Sequence, residues 1–394
     1  MKAITGLVKI LFLFPFSLLY GMAVWIRNRL YDNGILRSRE YALPVIGVGN
    51  ITAGGTGKTI HVEYLISILR DQYKVAMLSR GYRRHTSGFL IADEKMDFTH
   101  VGDEPCQIKR KFPETVVAVD SNRCRGIEKL LAHDRNIEVV ILDDAFQHRR
   151  INPGLTILLI DFNRPLEKDY LLPFGRLREQ RSERKRADII IITKVPGHVK
   201  PIELRLIEKK VKADSFQKVY FTTLEYNVPL PVFDSRKATL NPFSGNPSVL
   251  LVTGIANPQP LKEYVGILSD TVKHIEYPDH YAFDALDMRE IVREFEAMPG
   301  DNKFIITTEK DAMRFRVFDE LDEEIKQRMY YVPVKISFME NQEQAFKNDV
   351  FSYVHLNKAN NVLHRKIYKS APDSSSKKEN TGLRTGWIDE QYRR

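Results

Sequence analysis

Short apolar runs alternate with helical patterns along the chain from residue 44 to residue 192. Six runs have the composition of strands: 44–48, 75–78, 115–119, 139–142, 155–160 and 188–192. They are apolar throughout rather than alternating, which is typical of a parallel sheet covered on both faces. The clearest helix is predicted over 58–70, where apolar residues recur at helical spacing: Val62, Leu65, Ile66 and Leu69. The pattern predicts a doubly wound α/β fold with a mostly parallel sheet.

A proline-rich stretch around residue 230 interrupts this pattern. Beyond it, three more apolar runs at 249–253, 304–307 and 330–334 indicate a second α/β set. We therefore predict an α/β domain at 31–230 and a smaller α/β domain at 231–355. Residues 356–394 are basic, contain few apolar residues and show no periodicity, which predicts a flexible tail.

The N-terminal segment 10–26 contains seventeen residues without a charge, with Pro15 and Gly21 inside it. Four explanations compete: a cleaved signal peptide, a spanning helix, a helix buried in the core, and an anchor helix at 1–30 that dips into one leaflet. A spanning helix needs ~20 apolar residues. We favour the anchor, with Tyr20 and Trp25 near the lipid headgroups and the arginines that follow on lipid phosphates.

Composition and charge narrow the class of protein. The 394 residues are 43% hydrophobic and 28% charged, which is ordinary for a globular chain and excludes collagen-like and wholly disordered proteins. Cys106 and Cys124 fit no metal spacing, and a reducing cytosolic setting follows. A net charge of +9 is modest for this length, and because no recognition motif accompanies it we expect no nucleic-acid partner.

The run that follows the first strand has the form of a phosphate-binding loop. Glycines precede a Lys-Thr pair that opens a helix, so backbone N–H groups, the lysine and the threonine hydroxyl are placed for a triphosphate and its Mg²⁺. Thr52 stands where the strict motif has glycine. The predicted ATP-binding residues are Thr52, Ala53, Gly54, Gly55, Thr56, Gly57, Lys58 and Thr59.

Acidic residues complete the candidate site. Asp143 and Asp144 follow the strand at 139–142, where a Walker B carboxylate that holds Mg²⁺ belongs. Asp103 and Glu104, in the run VGDEP, are the best additional acids, although Asp-Glu-Pro also occurs in ordinary turns. A kinase would need one of them as a base near the acceptor hydroxyl.

Eight stretches in this order resemble the tetraacyldisaccharide 4'-kinases, the lipid A 4'-kinases of Gram-negative bacteria. The stretches are VGNITAGGTGKT at 48–59, LSRGYRR at 78–84, VGDEP at 101–105, DDAFQHRR at 143–150, LLPFGRLRE at 171–179, RADIIIITK at 186–194, PDHYAF at 278–283 and TTEKDAMR at 307–314. The resemblance as a whole extends over residues 1 to about 350. The resemblance implies transfer of the γ-phosphate of ATP to the 4'-hydroxyl of a tetraacyl glucosamine disaccharide 1-phosphate, which forms lipid IVA.

The resemblance also implies a fold, a location and residue roles. The fold would be a P-loop domain with a smaller Rossmann-like domain closing over the nucleotide, held at the cytoplasmic face of the bacterial inner membrane. Lys58 matches the catalytic lysine, Asp103 the general base and His280 its partner across the cleft. Thr59, Asp143, Asp144 and Glu104 match metal positions. The candidate substrate contacts are Arg80, Tyr82, Gln147, Arg176 and Arg178, and no obligate protein partner is evident.

One alternative from another class remains open. MinD-like and ParA-like switch ATPases also carry two glycines before the lysine motif and act at membrane surfaces. Such an ATPase has no use for PDHYAF in a second domain, and its hydrolysis would respond to a protein partner rather than to a sugar lipid.

Overall fold

The structure is a computed structural model that describes residues 2–233, 243–318 and 320–370. The helices are α1 (Lys2–Asp32), α2 (Lys58–Leu69), α3 (Phe98–Val101), α4 (Asp103–Lys111), α5 (Arg123–His133), α6 (Pro201–Val211), α7 (Gln259–Leu268), α8 (Ala285–Glu296), α9 (Glu309–Phe315), α10 (Glu323–Gln327) and α11 (Glu343–Ser370). The strands are β1 (Val45–Gly49), β2 (Val75–Ser79), β3 (Leu90–Ile91), β4 (Val116–Val119), β5 (Val139–Leu142), β6 (Leu155–Asp161), β7 (Ile189–Thr193), β8 (Lys218–Tyr226), β9 (Leu230–Pro231), β10 (Ser248–Thr253), β11 (Thr271–Glu276), β12 (Lys303–Thr308), β13 (Met329–Val332) and β14 (Val334–Phe338).

The larger sheet has the strand order β14-β8-β7-β6-β1-β5-β2-β4-β3. Its interior pairs are parallel, and only the outermost pairs, β14 with β8 and β3 with β4, are antiparallel. Every residue of β1, β2, β5 and β7 is buried, because helices cover both faces. The predicted α/β fold with a mostly parallel sheet is confirmed.

The smaller sheet has the order β11-β10-β12-β13-β9, with only β9 antiparallel to its neighbour. After it, the chain returns to the larger sheet, where β14 pairs with β8 and α11 packs its buried Phe346 near Tyr64 of α2, with ring centroids 6.0 Å apart. The domain limits predicted from the sequence stay predictions. The helix α11 continues to Ser370, so the predicted tail begins as a helix, and residues 371–394 lie outside the described residues.

The N-terminal helix α1 lies against the loop at 171–179. Ser17 donates a hydrogen bond to the Leu171 carbonyl at 2.7 Å, and Tyr20 donates one to the Arg178 carbonyl at 2.9 Å. Arg27 pairs with Glu179 at 2.5 Å, and Arg186 holds the other oxygen of the same carboxylate. Because the Glu179 side chain is fully buried, this pairing fixes the C-terminal half of α1 to the larger domain.

Several other side chains of α1 that the structure describes are large, apolar and exposed. The side chains that face outward are Phe12, Phe16, Leu18, Leu19, Met22, Trp25 and Ile26, and Phe12 is 62% exposed. The alternative of a helix buried in the core is therefore wrong. Among the residues that the structure describes, no helix combines the length and the apolar character that a membrane crossing requires.

The buried pairing predicts that α1 depends on Glu179. We expect Glu179→Gln to lower the free energy of unfolding by roughly 3 kcal/mol, because two arginines lose their carboxylate inside the protein. Glu128→Gln is the matched control, since Glu128 pairs with Arg39 where both side chains are more than half exposed, and it should cost less than ~1 kcal/mol. Urea unfolding of the three proteins measures both values, and equal losses would contradict the role of Glu179.

Candidate functional site

The predicted phosphate-binding loop joins β1 to α2 at the carboxyl edge of the larger sheet. Gly54 and Gly57 have φ values of 109° and 86°, which favour glycine, and the turn at Gly57 starts α2 at Lys58. Asn50 holds the loop from within by donating a hydrogen bond to the Thr56 hydroxyl at 2.9 Å. The loop therefore presents its backbone and the first turn of α2 to one space, the arrangement that a triphosphate requires.

Neighbouring strands and loops brace this turn from outside. The Ala53 N–H donates to the Arg176 carbonyl at 2.7 Å, and Thr52 is buried in a bridge to Leu177. The Thr193 hydroxyl donates to the Thr56 carbonyl at 2.9 Å, and Lys194 donates to the Gly55 carbonyl. Thr59, in the first turn of α2, is partly exposed.

Lys58 connects the loop to the acids that follow β5. Its Nζ lies 3.5 Å from the Asn50 Oδ1 and 3.4 Å from the Asp144 Oδ1. Although burial acts in the opposite direction, Lys58 and Arg178 hold the pKa of Asp144 below its ordinary value, so this carboxylate is ionised. The Lys58 ammonium group and the Asp144 carboxylate therefore both face the space beside the loop.

Asp143 has a different environment from its neighbour. Its Oδ2 accepts a hydrogen bond from Ser79 at 3.1 Å, while its buried Oδ1 receives none from the described residues. Burial, with Glu104 and Asp144 nearby, raises the pKa of Asp143 to about 7. A cation at this carboxylate would offset the charge that burial disfavours.

A Mg²⁺ ion fits the oxygen atoms present. In the described part of the chain, no three His, Cys, Asp or Glu side chains lie together as a complete metal site. Mg²⁺ is typically bound by one or two carboxylates with water and substrate phosphates. Asp143 or Asp144, together with the Thr59 hydroxyl and a nucleotide, would supply such a set.

Asp103 lies at the start of α4 and is held by two residues that follow strands of the smaller sheet, one in the loop after β11 and one on α9. The His280 Nδ1 is 3.1 Å from its Oδ2, and Arg314 of α9 pairs with the same oxygen. Burial acts to raise the pKa of Asp103, but the hydrogen bonds from His280 and Arg314 hold it well below its ordinary value. The predicted pair of Asp103 and His280 is therefore in contact in this structure, with an ionised carboxylate.

His280 itself has an unusual backbone. Its φ of 58° lies in the left-handed region, its N–H donates to the Gly254 carbonyl at 3.2 Å, and its own carbonyl accepts a hydrogen bond from Arg83. The ring of Tyr82 meets its imidazole edge-on at 5.2 Å. These contacts from both sheets aim the imidazole at Asp103.

Lys310 and Arg314 are site residues that the sequence reasoning did not single out. The Lys310 Nζ lies 3.0 Å from the His280 Nε2 and 3.5 Å from Glu104, so it connects the histidine to a predicted metal ligand. Both residues belong to the run TTEKDAMR, which forms the end of β12 and most of α9 at the carboxyl edge of the smaller sheet. The sequence feature that could have identified them is a helix with basic residues directly after a core strand.

The predicted substrate residues divide into two groups. Arg178 and Gln147 join the site, because Arg178 lies 3.3 Å from Asp144 and 3.4 Å from the Gln147 Oε1. Tyr82 contacts the site through the edge of its ring against the His280 imidazole. The side chains of Arg80 and Arg176 are exposed, and they make no hydrogen bond or ion pair among the residues that the structure describes.

Comparisons with known proteins agree with this architecture. The family model for LpxK, tetraacyldisaccharide-1-P 4'-kinase, matches residues 10–354. A tetraacyldisaccharide 4'-kinase of Bacteroides thetaiotaomicron is 44% identical over 357 residues, which is 88% of this chain and 94% of the relative. One of Flavobacterium johnsoniae is 40% identical over 342 residues, 87% of this chain and 96% of the relative.

A solved structure gives the same result. The crystal structure of "apo" form LpxK from Aquifex aeolicus in complex with ATP matches with a TM-score of 0.67 at 28% identity. The match covers 86% of this chain and 98% of that one. The chain belongs to the tetraacyldisaccharide-1-P 4'-kinase family.

Proposed function

We propose that Lys58, Asp103 and His280 carry out the reaction of this family on a tetraacyl glucosamine disaccharide 1-phosphate. The enzyme is an ATP-dependent kinase of lipid A biosynthesis, and its product is lipid IVA. The observation that carries the residue assignment is the Asp103–His280 contact beside a strand–loop–helix that ends in Lys58. The switch-ATPase alternative is not favoured, because the family match covers residues 10–354.

The loop and Lys58 bind the phosphates of ATP. Backbone N–H groups of the loop and the N-terminus of α2 face the phosphate chain, and Lys58 neutralises charge on the β and γ oxygens. Bound Mg²⁺, held by Thr59 with Asp143 or Asp144, would neutralise further negative charge on the phosphates. The ATP complex of the Aquifex aeolicus structure supports the nucleotide.

Asp103 receives the proton of the acceptor. As the 4'-oxygen bonds to the γ-phosphorus, the bond from that phosphorus to the β–γ bridging oxygen breaks and ADP leaves. The 4'-hydroxyl proton passes to the Asp103 carboxylate. In a loose transition state the hydroxyl becomes acidic only late, so a carboxylate of low pKa suffices if it is well positioned.

His280 and Arg314 position that carboxylate from the loop after β11 and from α9, beside the smaller sheet, while Asp103 lies on α4, beside the larger one. The base is therefore held in place only when both parts of the chain meet. We propose that closure of the smaller domain over the nucleotide assembles this contact.

We propose that the exposed apolar surface of α1 binds the enzyme to the membrane. A substrate with four acyl chains leaves a bilayer at a cost of ~0.8 kcal/mol per CH₂, so the active site must reach it at the surface. The exposed side chains Phe12, Phe16 and Leu19 lie on the helix that packs on the loop carrying Arg178. Membrane-bound α1 would hold the acids near the cytoplasmic leaflet of the inner membrane.

Transfer of labelled γ-phosphate to tetraacyl disaccharide 1-phosphate in detergent micelles tests the function. We expect labelled lipid from the wild type and a loss of at least about a hundredfold in Asp103→Ala and Lys58→Ala. Free labelled phosphate without labelled lipid would contradict the kinase assignment and favour a switch ATPase.

A second prediction concerns His280. We expect His280→Ala to lower kcat by roughly a hundredfold and to leave the KM for ATP within about twofold, since the imidazole contacts the base and not the loop. His280→Asn is the matched variant, because asparagine tolerates a positive φ and keeps a donor toward Asp103, so it should restore part of kcat. Equal losses in kcat and ATP affinity would count against a positioning role.

A third prediction concerns α1. Replacing Phe12, Phe16 and Leu19 together by serine should weaken binding to anionic phospholipid vesicles at least tenfold, because each buried apolar side chain is worth about 2 kcal/mol. Activity on vesicle-held substrate should fall with it, while ATP binding is retained. The control replaces Ile202 and Leu206, equally exposed on α6, by serine. Unchanged vesicle binding in the triple variant would refute the anchor.

A further inference from the structure

One lysine connects three helices that each carry residues of the candidate site. Lys111, at the C-terminal end of α4, donates a hydrogen bond to the Glu63 Oε2 of α2 at 2.6 Å, and its Nζ lies 3.2 Å from the Glu309 Oε1 of α9. Gln107, one turn earlier on α4, donates to the other oxygen of Glu63 at 2.7 Å. The reaction described above does not use these four residues, which we call the Lys111 cluster.

The two carboxylates of the Lys111 cluster are poorly exposed to water. The Glu63 side chain is 4% exposed and that of Glu309 is 12% exposed. Although burial acts in the opposite direction, these carboxylates raise the pKa of Lys111, so the lysine is charged. Buried charges are tolerated when their partners are close, and removing one partner is costly. Lys111 therefore cannot move away without depriving two poorly hydrated carboxylates of a counter-charge.

The helix α9 contacts α4 at both of its ends. At the C-terminal end the contact is the Lys111 cluster. At the N-terminal end, Asp103 pairs with Arg314, and the Glu104 Oε1 lies 3.5 Å from the Lys310 Nζ. Ion pairs at both ends of α4 fix the position of α9 along it as well as the direction in which α9 crosses it.

Charged contacts do here what apolar packing alone would not do. Apolar attraction has no fixed direction, so two helices held by it alone could slide past one another. An ion pair between a lysine and a particular carboxylate defines one register instead. A shift of α9 by about 1 Å would displace Arg314 from Asp103, and displacements of this size can lower a reaction rate about a hundredfold.

We propose that Lys111 is a positioning residue for phosphoryl transfer. By bridging Glu63 and Glu309, it holds α9 on α4 in the register that brings Arg314 to Asp103, and it ties this arrangement to α2. The inference rests on the proposed function, in which Asp103 accepts the proton of the acceptor. Lys111 follows Asp103 by eight residues, about 12 Å along α4, so it acts through α9 and not on the reacting atoms.

The experiment measures transfer of labelled γ-phosphate from ATP to tetraacyl disaccharide 1-phosphate in micelles, with kcat and both KM values determined. The variants are Lys111→Met, which keeps the apolar stem and removes the charge, Lys111→Arg, and Glu309→Gln. Lys111→Met is also made in the Asp103→Ala background. The matched control is Lys74→Met, because Lys74 pairs with Asp134 at 2.5 Å just before β2, at the opposite edge of the larger sheet. Urea unfolding shows which variants are folded.

We expect Lys111→Met to lower kcat about tenfold or more and to leave the KM for ATP within about twofold, since the phosphate-binding loop keeps its own contacts. Glu309→Gln should lower kcat in the same direction, and Lys111→Arg should restore part of the loss. Lys74→Met should leave kcat unchanged. In the Asp103→Ala background, Lys111→Met should cost less than about twofold, because the carboxylate that it positions is absent.

Three outcomes would overturn the proposal: an unchanged kcat in Lys111→Met, an equal loss of kcat in Lys74→Met, or a loss in the Asp103→Ala background as large as in the wild type. The last result would mean that Lys111 acts independently of the base. If Lys111→Met does not fold, Glu309→Gln, with and without Asp103→Ala, decides the question by the same criteria. Wild-type activity in Asp103→Ala alone would instead refute the proposed base, and that result does not depend on any change at Lys111.

Discussion

The proposed catalytic arrangement depends on the ion pair between Arg314 and Asp103. Arg314 is buried and also pairs with Asp311 at 2.7 Å, while Asp311 accepts hydrogen bonds from the Gly254 N–H and the Thr308 hydroxyl. Charges buried in this way are tolerated only with partners on every side. The proposed base, Asp103, is therefore held by an arginine that is itself fixed at the carboxyl edge of the smaller sheet.

The candidate site is built from residues that follow strands of both sheets. The loop, Lys58 and the acids after β5 come from the larger sheet, and His280, Lys310 and Arg314 come from the smaller one. Ligands of open α/β sheets bind beyond the carboxyl ends of the strands, and here two such edges face each other. Phosphoryl transfer asks mainly for positioning and charge neutralisation, and this arrangement can supply both.

The N-terminal helix α1 has one side that binds the rest of the protein and another side that is exposed. One side is tied to the protein by Arg27 on the buried Glu179, and the other side exposes large apolar residues. The loop at 171–179 that receives the helix also carries Arg178, which reaches Asp144. A surface suited to lipid is thus connected through one loop to the acids of the site.

The local elements could be predicted from the sequence because their signals lie in neighbouring residues. Continuous apolar runs predicted nine strands of the two sheets within about two residues at each end, and the glycines before Lys58 predicted the turn that starts α2. The strands β3, β8, β9, β11 and β14 were missed, since they are short, mixed in polarity or near the sheet edges. The motifs also carried the family resemblance, which named Asp103, His280 and the acids.

Contacts between distant residues were decided only by the tertiary structure. Arg314 contacts Asp103, and Lys310 contacts Glu104, across more than 200 residues of chain. Lys310 also contacts His280, about 30 residues away. No local pattern in the sequence encodes contacts between residues so far apart. The Asp143 Oδ1, which has no hydrogen-bond partner among the described residues, likewise becomes visible only when its surroundings are known, because burial and missing partners are properties of packing. The sequence by itself determined which elements form and which chemical groups are present, since these follow from local periodicity and residue type; packing alone decided which groups face one another.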